Sequence, residues 1–395
     1  MTTPAITMPF PARLRTPLVF DPVLTTLLFA LLLGGFVVLA SASISVSDRL
    51  TGDPFHYLER QLIAASIGAA GGLVCLFIPM QVWRTLGPLM LLAGLALLLL
   101  VLVPGVGYEV NGSRRWIRLG IINLQVSEPA RLCIIIYLAG YLVRRSKGVR
   151  EGTMGFLKPM LVLALASLAL LAEPDFGAAV VLVATALAML FVAGARIRDF
   201  LLFVPIAVAG AVALIVASPY RMQRMTGFLD PWADQFGTGF QLTQSLIAIG
   251  RGEVTGVGLG NSVQKLFYLP EAHTDFVFAV YAEEFGLLGS FLLIALFMAV
   301  VWRVFKLAIR AFEADRSFEA YFAIGVGTWL GIQAFINIGV NMGLLPTKGL
   351  TLPLLSYGRS SLIIIMIALS MLMRIHHELA VAAKPTRRRK RGKAA

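Results

Sequence analysis

Ten long apolar runs govern this chain, at about 22–44, 60–78, 86–103, 128–143, 157–172, 177–194, 200–218, 276–302, 319–342 and 355–374. A helix needs roughly 17–25 predominantly apolar residues to cross a bilayer. Inside the hydrocarbon every backbone N–H and C=O must be satisfied within the protein, which for runs of this length means helix. The pattern predicts an all-α polytopic membrane protein of about ten transmembrane helices, with a large periplasmic loop between helices 7 and 8. No polar stretch is long enough to bury a core of its own, so a single membrane-embedded domain is expected over 22–374, with the loop at 219–275. Short terminal segments, 1–21 and a basic 375–395, flank it. Charged residues make up only 14% of the 395, and mean hydropathy is +0.83; a soluble domain carries about 25% charged residues. Cys75 and Cys133 fall in apolar runs and read as small core residues. Arg13 and Arg15 precede a run too long for the apolar part of a cleavable leader, so that run reads as the first span. Glu173-Pro174-Asp175-Phe176-Gly177 divides the long run from Leu157 to Gly194, because Pro and Gly disfavour a helix interior.

Orientation follows from Lys and Arg, which number 34. With the N-terminus in the cytoplasm, most of them fall inside, among them Arg144, Arg145, Lys147, Arg150, Arg196, Arg198, Arg303 and Lys306. Both termini are then cytoplasmic. The tail KPTRRRKRGK reads as a topology anchor against anionic lipid, with no nucleic-acid role. The outer exceptions cluster: Arg114, Arg115 and Arg118 with Trp116, Arg131 at the start of span four, Arg221, Arg224, Arg251 and Lys265 in the large loop, and Lys348 and Arg359 before span ten. Cations kept outside against the usual bias point to an anionic partner there; solvated loop charges are the alternative.

Several groups are candidates for chemistry. Glu128 and Arg131 stand at i, i+3 on one helix face, as a structural pair or a substrate-positioning one. Trp116 reads as an interfacial anchor. Glu173 and Asp175 read first as a solvated turn. Asp275 is the sharpest, a lone carboxylate where a polar loop meets an apolar run. Either it or Thr274 is expected to cap the helix that follows, and the position at that helix's N-terminus is expected to keep Asp275 ionised. His273 reads as a structural contact, and no His-based metal site is expected. The segment NMGLLPTKGLTLPLLSYGRSS, with Lys348 and Ser356, is irregular backbone beside the membrane, which survives only when buried or lining a cavity.

Taken together, NGSRRWI, SEPARL, EPDFG, the block from GFQLTQSLIAIGRGE to LPEAHTDFVFAV, and GLLPTKGLTLPLLSYG resemble the SEDS family of shape, elongation, division and sporulation proteins. The likeness runs from about Asp21 to Arg374, and PTKGLTLP is similar to the division branch. One departure is Arg359, where the family carries a second glycine. The resemblance implies a peptidoglycan glycosyltransferase polymerising lipid II, an undecaprenyl-pyrophosphate disaccharide-pentapeptide, at the outer face of the bacterial inner membrane at the septum. It implies as partners a class B penicillin-binding protein and other divisome membrane proteins. It places the functional aspartate at Asp275 and further family positions at Glu128, Arg131 and Asp175. Together with the outer cations and the loop, the candidate substrate-binding set is Arg114, Arg115, Trp116, Glu128, Arg131, Asp175, Lys265, Lys348 and Ser356. The resemblance names no definite cofactor, and a divalent cation assisting the pyrophosphate is compatible with it. Rival readings are a lipid II flippase and a non-catalytic scaffold that recruits the penicillin-binding protein.

Overall fold

The computed structural model describes residues 18–110, 113–120 and 122–383. Arg13, Arg15, the basic tail from Lys384 onward and the side chain of Arg221 lie outside the described residues. The helices are α1 (Pro22–Thr51), α2 (His56–Phe77), α3 (Met80–Leu100), α4 (Ser127–Arg144), α5 (Ser146–Glu151), α6 (Thr153–Ala172), α7 (Phe176–Val192), α8 (Ile197–Val216), α9 (Pro219–Leu229), α10 (Phe240–Arg251), α11 (Val277–Glu313), α12 (Ser317–Asn341) and α13 (Arg359–Ala383). A helix stands at each of the ten predicted positions. Among the described residues, seven are long and apolar enough to cross a membrane, namely α1, α2, α3, α6, α11, α12 and α13. In α4, Glu128 and Arg131 lower the hydropathy; α7 is apolar but short.

Local chemistry sets the ends. The Asp21 carboxylate accepts the Leu24 N–H at 3.2 Å and Pro22 occupies the first turn of α1, a strong start signal. Gly52 closes it in the left-handed region at φ 71°, where glycine carries no Cβ penalty. The interior belongs to α12 and α13, buried over 72% and 78% of their apolar windows. Helix α12 packs on α11, α7 and α4, and α13 on α2. By contrast α8 is exposed along most of its length and meets the bundle through Phe200 and Phe203 against Phe156.

Two outer segments carry structure that the apolar runs do not announce, and one expected span needs correction. Between α3 and α4 the outer segment forms an antiparallel sheet, in order β1 (Tyr108–Val110), β2 (Ser113–Leu119), β3 (Ile122–Gln125). The tight turn at Gly120 (φ 71°) between β2 and β3 suits a hairpin. The outer loop 219–275 contains α9 and α10. And the apolar run from 276 is not one smooth helix. Gly286, at φ 65° and ψ −162°, breaks α11. Chain 252–258 docks into the break: the Leu287 and Leu288 N–H groups donate to the Glu253 and Val254 carbonyls at 2.9 and 3.1 Å, and the Val257 and Gly258 N–H groups donate to Glu283 and Glu284 carbonyls at 3.0 Å each. The backbone bonds lost at the break are thus replaced. A Cβ at Gly256 or Gly286 would overlap the facing backbone.

Candidate active site

Asp275 lies at the head of the short half of α11. It does not cap the helix, because the cap residue is Phe276 with no side-chain cap bond of its own. The Asp275 carbonyl instead accepts Asn337 Nδ2 at 2.8 Å and Asn341 Nδ2 at 3.0 Å, both from α12. Its carboxylate faces Gly349, where a Cβ would stand 3.0 Å from Oδ2. Nor is the carboxyl held low by a helix terminus. Some surface remains accessible, yet protein crowds it closely enough that burial, reinforced by Glu271 and Asp175 and opposed by Arg115 and Arg224, pushes its pKa up to about 7. Loss of water around a charge outweighs the nearby cations.

The sheet decides which basic residues face this carboxylate. Successive strand residues point to opposite faces, so in β2 Arg115 parts company with Arg114, Trp116 and Arg118. Arg115 acts on both Asp275 and Glu173, and its Nε is buried without a hydrogen-bond partner. Arg114 is half-exposed and pairs with Glu109 at 3.0 Å; Arg118 lies over the Tyr108 ring at 3.4 Å. Arg114 and Trp116 are therefore on the face away from Asp275. From the large loop Arg224 joins the site, with Nη1 3.5 Å from the Thr347 carbonyl.

Glu173 and Asp175 are not a solvated turn. Both are buried, at 0% and 3% exposure. Asp175 Oδ1 accepts the Ala178 N–H at 3.1 Å and caps α7, while Oδ2 accepts Gln125 Nε2 and Ser127 Oγ at 3.1 Å each. It is a junction of sheet, α4 and α7. Burial first, then Asp175, against the pull of Arg115, pushes the Glu173 carboxyl up to about 8. Lys348 Nζ sits over the Phe176 ring at 4.4 Å, and Gly177 leaves room for Leu350 to approach α7.

Glu128 and Arg131 pair as expected, at 3.4 Å, fully inside the protein. Arg131 Nη1 also donates to Gln333 Oε1 at 2.9 Å, its guanidinium lies 5.2 Å from the Trp329 ring, and its Nε and Nη2 have no hydrogen-bond partner. Two other candidates leave the site. Lys265 Nζ is buried against Glu284 Oε1 and Ser41 Oγ, at 2.7 Å each, and serves to fasten the loop to α11 and α1. Ser356 Oγ accepts the Leu352 N–H at 2.8 Å and staples its own turn. His273 is the structural contact expected of it. Its ring meets Tyr57 at 4.7 Å and Tyr357 at 5.8 Å, and burial pushes its pKa down in spite of Glu271. Arg359 opens α13 in ordinary helical backbone. Among the described residues no three His, Cys, Asp or Glu side chains converge as a metal site.

The residues that sequence reading passed over are Gln333, Asn337 and Asn341. Their spacing of four puts them on one stripe of an apolar helix, a signal visible in the chain itself. Gln333 Nε2 reaches the Thr351 carbonyl at 2.9 Å and Asn337 Nδ2 the Leu350 carbonyl at 2.6 Å.

Residues 22–381 match the family model described as a cell cycle protein, of the FtsW, RodA and SpoVE type. The chain belongs to the SEDS family. A relative in Alkalilimnicola ehrlichii, a probable peptidoglycan glycosyltransferase FtsW, is 55% identical over 357 residues, covering 90% of this chain and 89% of its own. Among solved structures this SEDS chain is similar to one from a peptidoglycan synthase complex that coordinates polymerization and crosslinking, at TM-score 0.75 and 31% identity over 92% of this chain and 99% of that one. It is also similar to a mutant of the rod shape determining protein RodA of Thermus thermophilus, at TM-score 0.67 and 29% identity, again over 92% and 99%. The helical polytopic fold expected of a SEDS protein is the fold found.

Proposed function

We propose that this chain is a peptidoglycan glycosyltransferase that joins lipid II units into β-1,4 glycan at the outer face of the inner membrane, with Asp275 as general base. The transferase activity rests on its kinship with FtsW glycosyltransferases. The observation that carries the assignment of the base is the poorly solvated Asp275 carboxyl, raised to about 7 and facing the bare backbone of Gly349. A base works best with a pKa near the operating pH. The acceptor sugar hydroxyl gives its proton to the carboxylate as its oxygen attacks the anomeric carbon of the donor. The bond to the lipid pyrophosphate breaks on the opposite face, so an α-linked donor yields a β-linked strand. Charge then grows on the departing phosphate, and fixed donors serve it best in a water-poor site. Arg115, with its unpartnered Nε, and Arg224 are the cations whose charge acts on the base. Lys348 stands next to Gly349 and is the third cation assigned to the same anion. A divalent cation carried by the pyrophosphate is compatible with this arrangement.

Kinship with a chain of a synthase complex supports a penicillin-binding protein as partner; the class B division enzyme, the septal location and cytoplasmic termini belong to the proposal. The experiment is polymerisation of lipid II by the full-length Asp275→Asn variant. The expected rate is lower on the order of 10²-fold or more, with insertion intact. A near-normal rate removes Asp275 as base. A wild-type chain that moves lipid II but makes no polymer is a flippase, and a variant that supports division unimpaired is a scaffold.

A further inference from the structure

We infer that the amide stripe of α12 is a positioning device: Asn341 caps the short half of α11 from outside, Asn337 and Asn341 together hold the backbone of Asp275, and the Asp275 carboxylate is left free for the reaction. The inference rests on the reading of Asp275 as general base.

A helix start leaves its first N–H groups without partners, and the residue before it commonly spends a side-chain oxygen on them. Asp275, one residue ahead of Phe276, is the obvious candidate and does not do so. Asn341 Oδ1, fully buried, accepts the Ala279 N–H at 3.1 Å in its place, a donor it shares with the Phe276 carbonyl at 3.1 Å. The same amide donates through Nδ2 to the Asp275 carbonyl at 3.0 Å and to the Asn337 carbonyl at 2.8 Å. Asn337 Nδ2 adds 2.8 Å to the Asp275 carbonyl and 2.6 Å to that of Leu350, the neighbour of Gly349. One turn further along, Gln333 joins Arg131 to the Thr351 carbonyl. One helix face thus fixes the backbone of the base, the backbone opposite its carboxylate, and the guanidinium of Arg131. Asn341 is itself anchored, its carbonyl accepting Ser245 Oγ at 2.8 Å from α10. A second acid in the Asn341 role would meet the Asp275 carbonyl with an acceptor, whereas an amide offers both a donor and an acceptor.

The test is a double-mutant cycle on the full-length chain, reading kcat and KM for lipid II polymerisation. Asn341→Ala is expected to lower kcat on the order of 10- to 100-fold, the cost of a misplaced base, with KM within about twofold. In an Asp275→Asn background the same change should cost less than about twofold, because nothing is left to position. An equal loss in both backgrounds, a loss confined to KM, or no loss in the Asp275 background overturns the inference. Near-normal polymerisation by Asp275→Asn alone would instead overturn the general-base reading, so the two failures are distinguishable. Melting temperature in detergent checks folding. If Asn341→Ala fails to fold, Asn337→Ala, which keeps the outside cap, is read by the same criteria.

Discussion

Asp275 and Glu283 flank the same short half of α11, yet their carboxylates meet opposite surroundings. Glu283 is fully buried and saturated: it accepts Ser262 Oγ, the Val263 and Gln264 N–H groups at 3.1 and 3.3 Å, and Arg251 Nη1 at 3.3 Å. Asp275 loses water without equal compensation, and its pKa climbs to about 7. The first arrangement holds a loop in place; the second holds a proton acceptor ready. Buried charge by itself is therefore a poor guide to chemistry here, and the number of donors aimed at the carboxylate is the better one. Lys265 teaches the same lesson from the cationic side. It looks like a phosphate ligand in the sequence, but it is consumed by Glu284 and Ser41.

The contrast can be broken first at Lys265. Lys265→Met leaves the buried Glu284 without its cation, with only the Ser41 hydroxyl still donating to it, and should destabilise the chain by about 3–5 kcal/mol. Lys265→Met/Glu284→Met should recover most of that loss and retain lipid II binding, as thermal melting and a binding assay would read. Failure of the double variant to bind lipid II, with its fold restored, would return Lys265 to the substrate site. Next, Glu283→Ala orphans buried donors and should cost about 1–3 kcal/mol, while Asp275→Asn should do the reverse. An acid whose folded pKa is raised takes up its proton more readily folded than unfolded. Its contribution is favourable below the unfolded value near 4 and is lost as pH rises toward about 7. Asp275→Asn should thus melt higher than wild type above pH 7 and no higher at pH 4. The smallest shift, in pH and not in rate, is expected at Arg115, which holds the Asp275 pKa down. Arg115→Ala should move the rising limb of the pH–rate profile to higher pH, by less than about one unit; a move to lower pH would place Arg115 elsewhere.

Much of the frame was legible in the chain. Apolar runs of spanning length announce their helices, and Glu128 and Arg131 share a face at i, i+3 because helical geometry demands it. Asp275 stands out as a carboxylate at an apolar boundary. What escaped has physical causes. Strands of three to seven residues around Gly120 are too short for alternation to stand out among arginines. Gly286 breaks α11 only because chain from far back in the loop supplies replacement hydrogen bonds, a long-range fact. The burial of Glu173 and Asp175 depends on the sheet lying over their turn, where Ser113 Oγ donates to the Glu173 carbonyl. Gln333, Asn337 and Asn341 were readable by spacing, but their purpose required seeing what faces them.

The central claim is that a carboxylate kept short of water titrates near neutrality and takes the acceptor proton. The most direct measurement is the pH dependence of kcat/KM for lipid II polymerisation, wild type against Asp275→Asn. The account predicts a wild-type rate that rises through half-maximum near pH 7 and a much slower variant in which that limb is gone. A wild-type rate flat from about pH 5 to pH 8, or the same limb surviving in Asp275→Asn, would contradict it.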